Sequence, residues 1–364
     1  MQCENDLPLF DPNASIAIQQ ALQSFQSVKM LMVMHDLRTY DTLHPYVCLA
    51  LCPLGIVANL IHILVLTRSK MLRSAVNCIL VVIAVCDIIT MSSYLMYIIK
   101  FEFFAPSSST GVSYSWVVML KIHAVVTIAL HGITLYCCAT LAIIRWSALA
   151  KTRNLCFQPL TAWFVFLFFS VIASIVGIIC IPTFLVHEIK VVWINGGELF
   201  YTIDISEWAI RDSCRYFKLN LWILGIALKA LPCLLLCCFT ILLVLRLRGN
   251  LKRKQILLCR DYNVANVKKS ENCSAAVKRN KRNYDRTTFT LIVMLSVFLI
   301  TELPQGVLAV LNALHTNDVH TILYKNLANL LDLLSLINCY VGFLTYCFLS
   351  SKYRQTFIIM LVNS

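Results

Sequence analysis

Residues 298–306, Phe-Leu-Ile-Thr-Glu-Leu-Pro-Gln-Gly, set a carboxylate, a proline and an amide inside a run from Phe289 to Leu314 that is otherwise mostly Leu, Ile, Val, Met, Phe and Ala. A charge at mid-bilayer depth costs roughly 3 kcal/mol even on lenient insertion scales. Proline removes a backbone donor and bends the helix that holds it. Glu302 therefore needs a physical reason to be there. Lys229 stands three residues before Pro232 in another apolar run, so two opposite charges lie beside two helix-bending prolines. Two readings follow. Glu302 faces a cavity and meets a ligand, or it pairs with Lys229 and holds the helices together; both hold if a ligand breaks the pair.

Other polar groups fall within apolar runs: Asn59, Asp87, His123, His131, Thr134, Arg145, Asp332 and Asn338. Asp332 lies about two helical turns outward of Asn338. It is a candidate to meet a cationic ligand group, against simple solvation at a pocket mouth. His131 either lines the pocket or is a packed, satisfied histidine. Metal and covalent chemistry find no pattern. Most of the 17 cysteines lie in the apolar runs, where Cys acts as a small apolar residue. The pairs Cys137-Cys138 and Cys237-Cys238 have no metal-ligand partners at useful spacing, and His187-Glu188 is not followed by a second His four residues after the first. There is no Gly-rich phosphate loop and no nucleophile elbow. The expectation is no enzyme, no metal and no cofactor beyond a sodium ion considered below.

The elements that must hold these groups follow from composition. Hydrophobic residues make up 59% of the 364 residues, charged ones 13%, and mean hydropathy is +0.76. A soluble domain carries far more charge. The apolar residues group into seven segments of spanning length: 46–67, 76–99, 115–144, 161–186, 219–245, 288–313 and 321–349, the third and seventh broken by polar residues. The predicted fold is an all-α membrane protein, a seven-transmembrane helix bundle with a short amphipathic helix after the seventh span. Residues 1–45 form an amino-terminal segment, 46–349 the bundle and 350–364 a short tail.

Charge orients it. Residues 246–286 hold 13 Lys/Arg against 3 Asp/Glu, and Arg68, Lys70, Arg73, Lys151, Arg153, Lys352 and Arg354 mark the same side. By the positive-inside bias these segments face the cytoplasm, which places the amino terminus outside in a plasma-membrane protein. The net charge of +13 is then a topology signal, and nucleic acid is not an expected partner; membrane lipid is. No leader with a basic start and apolar core is visible in residues 1–13. Residues 14–34 read as a short amphipathic helix at the outer surface. The sequon Asn13-Ala14-Ser15 is an expected glycosylation site, whereas Asn272-Cys273-Ser274 faces the cytosol. Cys3 and Cys214 are the cysteines in outer segments, where oxidation is favoured.

One signature residue per span completes the pattern: Asn59 in GIVANLIHILVL, Asp87 in IAVCD, Arg145 in LAIIRW, Trp163, Pro232, Pro304, and Tyr346 followed by SSKYRQTF. Over roughly residues 44–357 the chain resembles a rhodopsin-like G-protein-coupled receptor. The stretches YSWVVMLKIHAVVTIALHGITLYCCATLAIIR and FLITELPQG are similar to nematode receptors grouped with insect myosuppressin receptors, which answer FMRFamide-like neuropeptides, and to the related serpentine class W receptors. Acid in place of the sixth-span tryptophan belongs to that group, and Glu302 fits it. The resemblance implies that Arg145, Pro304 and Tyr346 serve activation and heterotrimeric G-protein coupling. It also implies that Asn59, Asp87, Thr134 and Asn338 form a sodium pocket or a plain polar cluster.

The chain departs from the pattern at three places. Ile144-Arg145-Trp146 lacks the adjacent acid. Residues 342–346 read Gly-Phe-Leu-Thr-Tyr, without the Asn and Pro. No Cys stands near Trp116–Leu120, which leaves Cys214 without its customary partner. The expected function is a receptor for an amidated FMRFamide-like peptide. The ligand candidates are His131, Lys229, Glu302 and Asp332. The alternatives are a chemosensory receptor for a small molecule and a transporter, and the absence of self-similar halves argues against the last.

Overall fold

Long apolar runs in a bilayer can satisfy their backbone only as helices, and the architecture follows. In the computed structural model, residues 16–72, 74–104, 112–149, 162–193, 199–264, 271–315 and 325–362 are described. Seven helices are long and apolar enough to cross a membrane: span one Tyr40–Leu66, span two Ala75–Phe103, span three Tyr114–Ala148, span four Trp163–Val186, span five Glu207–Gly249, span six Ile292–Leu314 and span seven Leu327–Leu349. The helix of span one begins at Ile16 and runs unbroken to Leu66, so the segment read as a short amphipathic helix is continuous with the first span. The helix of span five reaches Val264, and that of span six begins at Glu271. The basic segment between them is therefore largely helical.

Span three is the central post, packed against spans two, four and five, while span one rests on spans two and seven. Leu135, Leu141, Leu236, Leu243, Met294 and Leu295 form the buried core between them. The outer faces are apolar too: Ile178 is 65% exposed, Ile300 72% and Phe348 73%. Such faces are ordinary where the solvent is lipid. The terminal helix Ser351–Val362 buries Tyr353 and leaves Ile358, Ile359, Leu361 and Val362 outward.

Span five is not a uniform α-helix. Leu224–Ala230 widens into a π-helical turn just before Leu231 and Pro232. Proline supplies no N–H to the α-helical ladder, and the Tyr136 hydroxyl from span three donates to the Ala227 carbonyl at 2.5 Å. A side chain inserted there takes a backbone acceptor that the wider turn leaves accessible. Lys229 rides on this turn. A second π-helical turn, Ile98–Phe103, ends span two.

Between spans four and five the chain forms an antiparallel hairpin that the sequence reading did not anticipate: strand β1, His187–Trp193, pairs with strand β2, Leu199–Ile205. Val112, just before span three, bridges to Tyr201. Lys190 crosses the hairpin to Asp204 at 3.0 Å. That bond holds the Asp204 carboxyl below its usual range and the Lys190 ammonium above its own. Past the hairpin, Asp212, Ser213 and Cys214 all take positive φ, at 52°, 58° and 62°. Cys214 is disulfide-bonded. Twelve other cysteines, from Cys48 to Cys347, are free thiols, and the sequon residue Asn13 lies outside the described residues.

Candidate functional site

Glu302 organises the middle of the bundle. Its side chain is 0% exposed, and its Oε2 accepts from His131 Nε2 at 2.6 Å and from Lys229 Nζ at 3.4 Å. Oε1 accepts from the Asn338 amide, whose own oxygen accepts from Thr301. A buried carboxylate is tolerable only when paired and fully hydrogen-bonded, and here spans three, five and seven each contribute a partner. The π-turn matters because it aims Lys229 inward from span five. Neither partner is fully sealed: the His131 side chain is 16% exposed and that of Lys229 22%. Gln305, one helical turn beyond Thr301, accepts from Lys229 Nζ at 2.9 Å through Oε1. Its Nε2 donates to Ser335 Oγ at 3.1 Å and to the Leu331 carbonyl at 3.3 Å.

Toward the hairpin end lies a second polar group. Asp332 is exposed in surface area, yet it is closely surrounded by protein, as a carboxylate in a deep mouth is. The Tyr94 hydroxyl from span two donates to its Oδ2 at 3.1 Å. Tyr94 also meets His44 Nε2 at 2.9 Å, and His44 Nδ1 meets the Tyr40 hydroxyl at 2.7 Å. With Tyr94 donating to the acid, His44 donates from Nε2, and a neutral ring then accepts at Nδ1. Tyr97 stacks on His123 with ring centres 5.4 Å apart, and Tyr94 lies 6.0 Å from the same ring. An acid beside an aromatic wall suits a guanidinium or ammonium group.

The four residues matched to a sodium pocket do not converge. Asn59 donates to the Gly55 and Cys339 carbonyls at 3.0 and 2.9 Å, which ties span one to span seven. Asp87 is bonded by the Cys339 thiol, and Thr134 meets the Cys86 thiol. Asn338 is turned to Glu302, and Gly342 brings no side-chain oxygen. The oxygen donors a hard cation needs are not gathered, so the residues do not fit sodium. Asp87 bonds neither Asn59 nor Asn338, so the plain cluster imagined from sequence is replaced by separate helix-to-helix ties.

At the opposite end, Arg145 is half-buried, and its Nε has no partner among the described residues, in keeping with the missing acid at position 144. Trp146 packs edge-on against Phe239 of span five, 5.8 Å between centres. Tyr346 is buried near Arg145. His62 faces Tyr346 at 5.7 Å between ring centres and bonds the Tyr353 hydroxyl at 3.1 Å through Nδ1. Pro304 lies inside the helix of span six beside Gln305.

Sequence reasoning missed Tyr94, His44, Tyr136 and His62 as site residues, and it passed over Gln305 although it lies in the stretch first noticed. Tyr94, Tyr97 and Phe101 recur at helical spacing, a face that sequence alone could have flagged. Tyr136 carried no such signal, because its role depends on a local widening of another helix.

The family described as "Serpentine type 7TM GPCR chemoreceptor Srw" matches residues 46–364. The chain is 32% identical over 346 residues to the "G-protein coupled receptor dmsr-1" of Caenorhabditis elegans, covering 87% of this chain and 68% of that one. It is 24% identical over 332 residues to the "Sex peptide receptor" of Drosophila melanogaster, covering 83% and 68%. The chain belongs to the Srw family of serpentine seven-transmembrane receptors and is a multi-pass membrane G-protein-coupled receptor.

Proposed function

We propose that this receptor sits in the plasma membrane with its amino terminus and hairpin outside and its basic helices in the cytoplasm, and that it answers a short amidated peptide of FMRFamide-like type. Asp332 carries the reading. It is an exposed carboxylate walled by tyrosines at the hairpin end, whereas Glu302 is already bonded by Lys229 and His131. A ligand cation therefore gains most at Asp332. The apolar end of the peptide would go deeper, toward His131 and Lys229. One relative is a sex peptide receptor, which supports a peptide over an odorant. On the cytoplasmic side, Arg145, Tyr346 and the span-six lever hinged at Pro304 would meet the heterotrimeric G protein. Lipid covers the outward faces, and Asn13 would carry glycan.

The test is a calcium and cAMP assay on transfected cells against a panel of amidated peptides and a panel of volatile odorants. Nanomolar responses confined to peptides ending in Arg-Phe-amide or close variants are expected. Responses confined to odorants would overturn the peptide reading.

A further inference from the structure

Gln305 sits on span six and bonds spans five and seven at once. Its amide cannot be turned around. Lys229 Nζ only donates, so Oε1 must face it, and the Leu331 carbonyl only accepts, so Nε2 must face that side. Three contacts at 2.9, 3.1 and 3.3 Å hold the group in this one orientation. Two consequences follow. Leu331 and Ser335 bracket Asp332 on a single turn of span seven, so the turn that presents the outer carboxylate is the turn Gln305 grips. Lys229 is nearer to Gln305, at 2.9 Å, than to Glu302, at 3.4 Å. The amide therefore shares with the counter-ion in positioning the lysine. Pro304 is the adjacent residue in span six, where the helix lacks one backbone donor and yields most easily.

We propose that Gln305 is the positioning residue that couples cation binding at Asp332 to the Glu302 charge network. This rests on Asp332 being the ligand carboxylate. A cation seated at Asp332 draws the 331–335 turn outward. Gln305 loses its grip on Leu331 and Ser335, Lys229 follows the amide, and Glu302 is left held by His131 and Asn338 alone. Three helices then shift their polar contacts together beside the hinge of span six. No covalent step or proton transfer is involved; hydrogen bonds are exchanged as Lys229 moves.

The experiment uses the full-length receptor in lipid nanodiscs and reads G-protein recruitment without ligand and with a synthetic peptide ending in Arg-Phe-amide. Without ligand, Asp332→Asn should shift basal recruitment in the native background and lose most of that shift in Gln305→Leu. Additive shifts, or no shift from Asp332→Asn at all, overturn the coupling. With peptide, Gln305→Leu should cut maximal recruitment at least about threefold, within the range that coupling residues reach, while peptide affinity by competition binding and the unfolding midpoint stay near wild type. Gln305→Glu keeps an acceptor for Lys229 but lacks the donors to span seven, and it should show the same loss. Recovery of full response in Gln305→Glu would sink the proposal, because the link to span seven would then be unnecessary. Asp332→Asn should lower peptide affinity and, because the pull on the 331–335 turn is lost with the carboxylate, should lower the maximum at saturation as well. If instead it leaves affinity unchanged, the Asp332 reading fails. Normal maximal recruitment in both Gln305 variants, with the Asp332 effect intact, removes Gln305 alone.

Discussion

Glu302, Lys229 and His131 show how few side chains set the character of a bundle. Removing one partner of a buried charge pair costs about 3–5 kcal/mol where the pair is sealed, but the Lys229 and His131 side chains here are 22% and 16% exposed, so water can take up part of the loss. A coupling of about 1–3 kcal/mol between Glu302→Gln and Lys229→Gln is the expected result of a double-mutant cycle on thermal unfolding in nanodiscs. Each single variant should also shift basal signalling, with partial recovery in the double. Strict additivity would mean that the two side chains are neighbours without being partners. This pair was legible in the sequence, because two opposite charges in apolar runs have few ways to be satisfied. Asn338 was assigned to the wrong neighbour. Its position along span seven was known, but its rotation about the helix axis was not, and that rotation decides whether it meets Asp87 or Glu302. Arg145 tests the opposite end. A cation there can cap the last carbonyls of a G-protein helix, so Arg145→Ala should abolish G-protein activation while peptide binding persists. Normal signalling at equal surface expression would show that this chain couples without its arginine.

Helices were visible as apolar runs, and their ends came out within about four residues except at three starts: spans one and seven begin at Tyr40 and Leu327 rather than 46 and 321, and span five at Glu207 rather than 219. The segment 207–218 is polar enough to hide from a hydropathy reading, yet it continues the helix beyond the strained turn at Asp212–Cys214. The hairpin was hidden for another reason: strands of seven residues in an outer loop leave no long-range pattern. The π-turn of span five was only half legible. Pro232 announced a disturbance, but whether it would appear as a kink or a widening depends on Tyr136. The turn also sets a spacing. A methyl group added at Gly225 would stand 3.1 Å from the Ala309 carbonyl oxygen of span six, a backbone atom that cannot swing aside. Overpacking of this kind costs about 1–3 kcal/mol. Gly225→Val should therefore lower the unfolding midpoint and surface expression more than Gly177→Val, since a side chain at Gly177 meets nothing within 4 Å. Equal effects at the two glycines would mean that spans five and six can part freely at this point.

At the scale of the whole molecule, charge chooses the ligand. The segments read as outer carry 12 acids against 8 Lys/Arg, and the cavity below adds Asp332 and Glu302 against Lys229. The field at the mouth favours an approaching cation before any contact is made. Once seated, a guanidinium on Asp332 makes a charge-assisted bond worth about 1.5–3 kcal/mol, roughly one to two decades of affinity. The carboxy-terminal amide matters for the same reason: a free carboxylate would carry negative charge into a cavity with more acids than lysines. Against this receptor, a peptide ending in Arg-Phe-amide should lose at least about tenfold in potency when its Arg becomes Ala, and about as much when its amide becomes a free acid. Asp332→Asn should weaken the native peptide by a similar factor yet barely change the Arg→Ala peptide, because the pair it removes is already gone. Potency should also fall with added salt, since the steering part is screened over about 8 Å at physiological ionic strength. A peptide series in which the amide and free acid are equipotent, and Asp332→Asn acts equally on both Arg and Ala versions, would place the cation elsewhere in the cavity and leave Tyr94, His44 and Asp332 as a structural tie between spans one, two and seven.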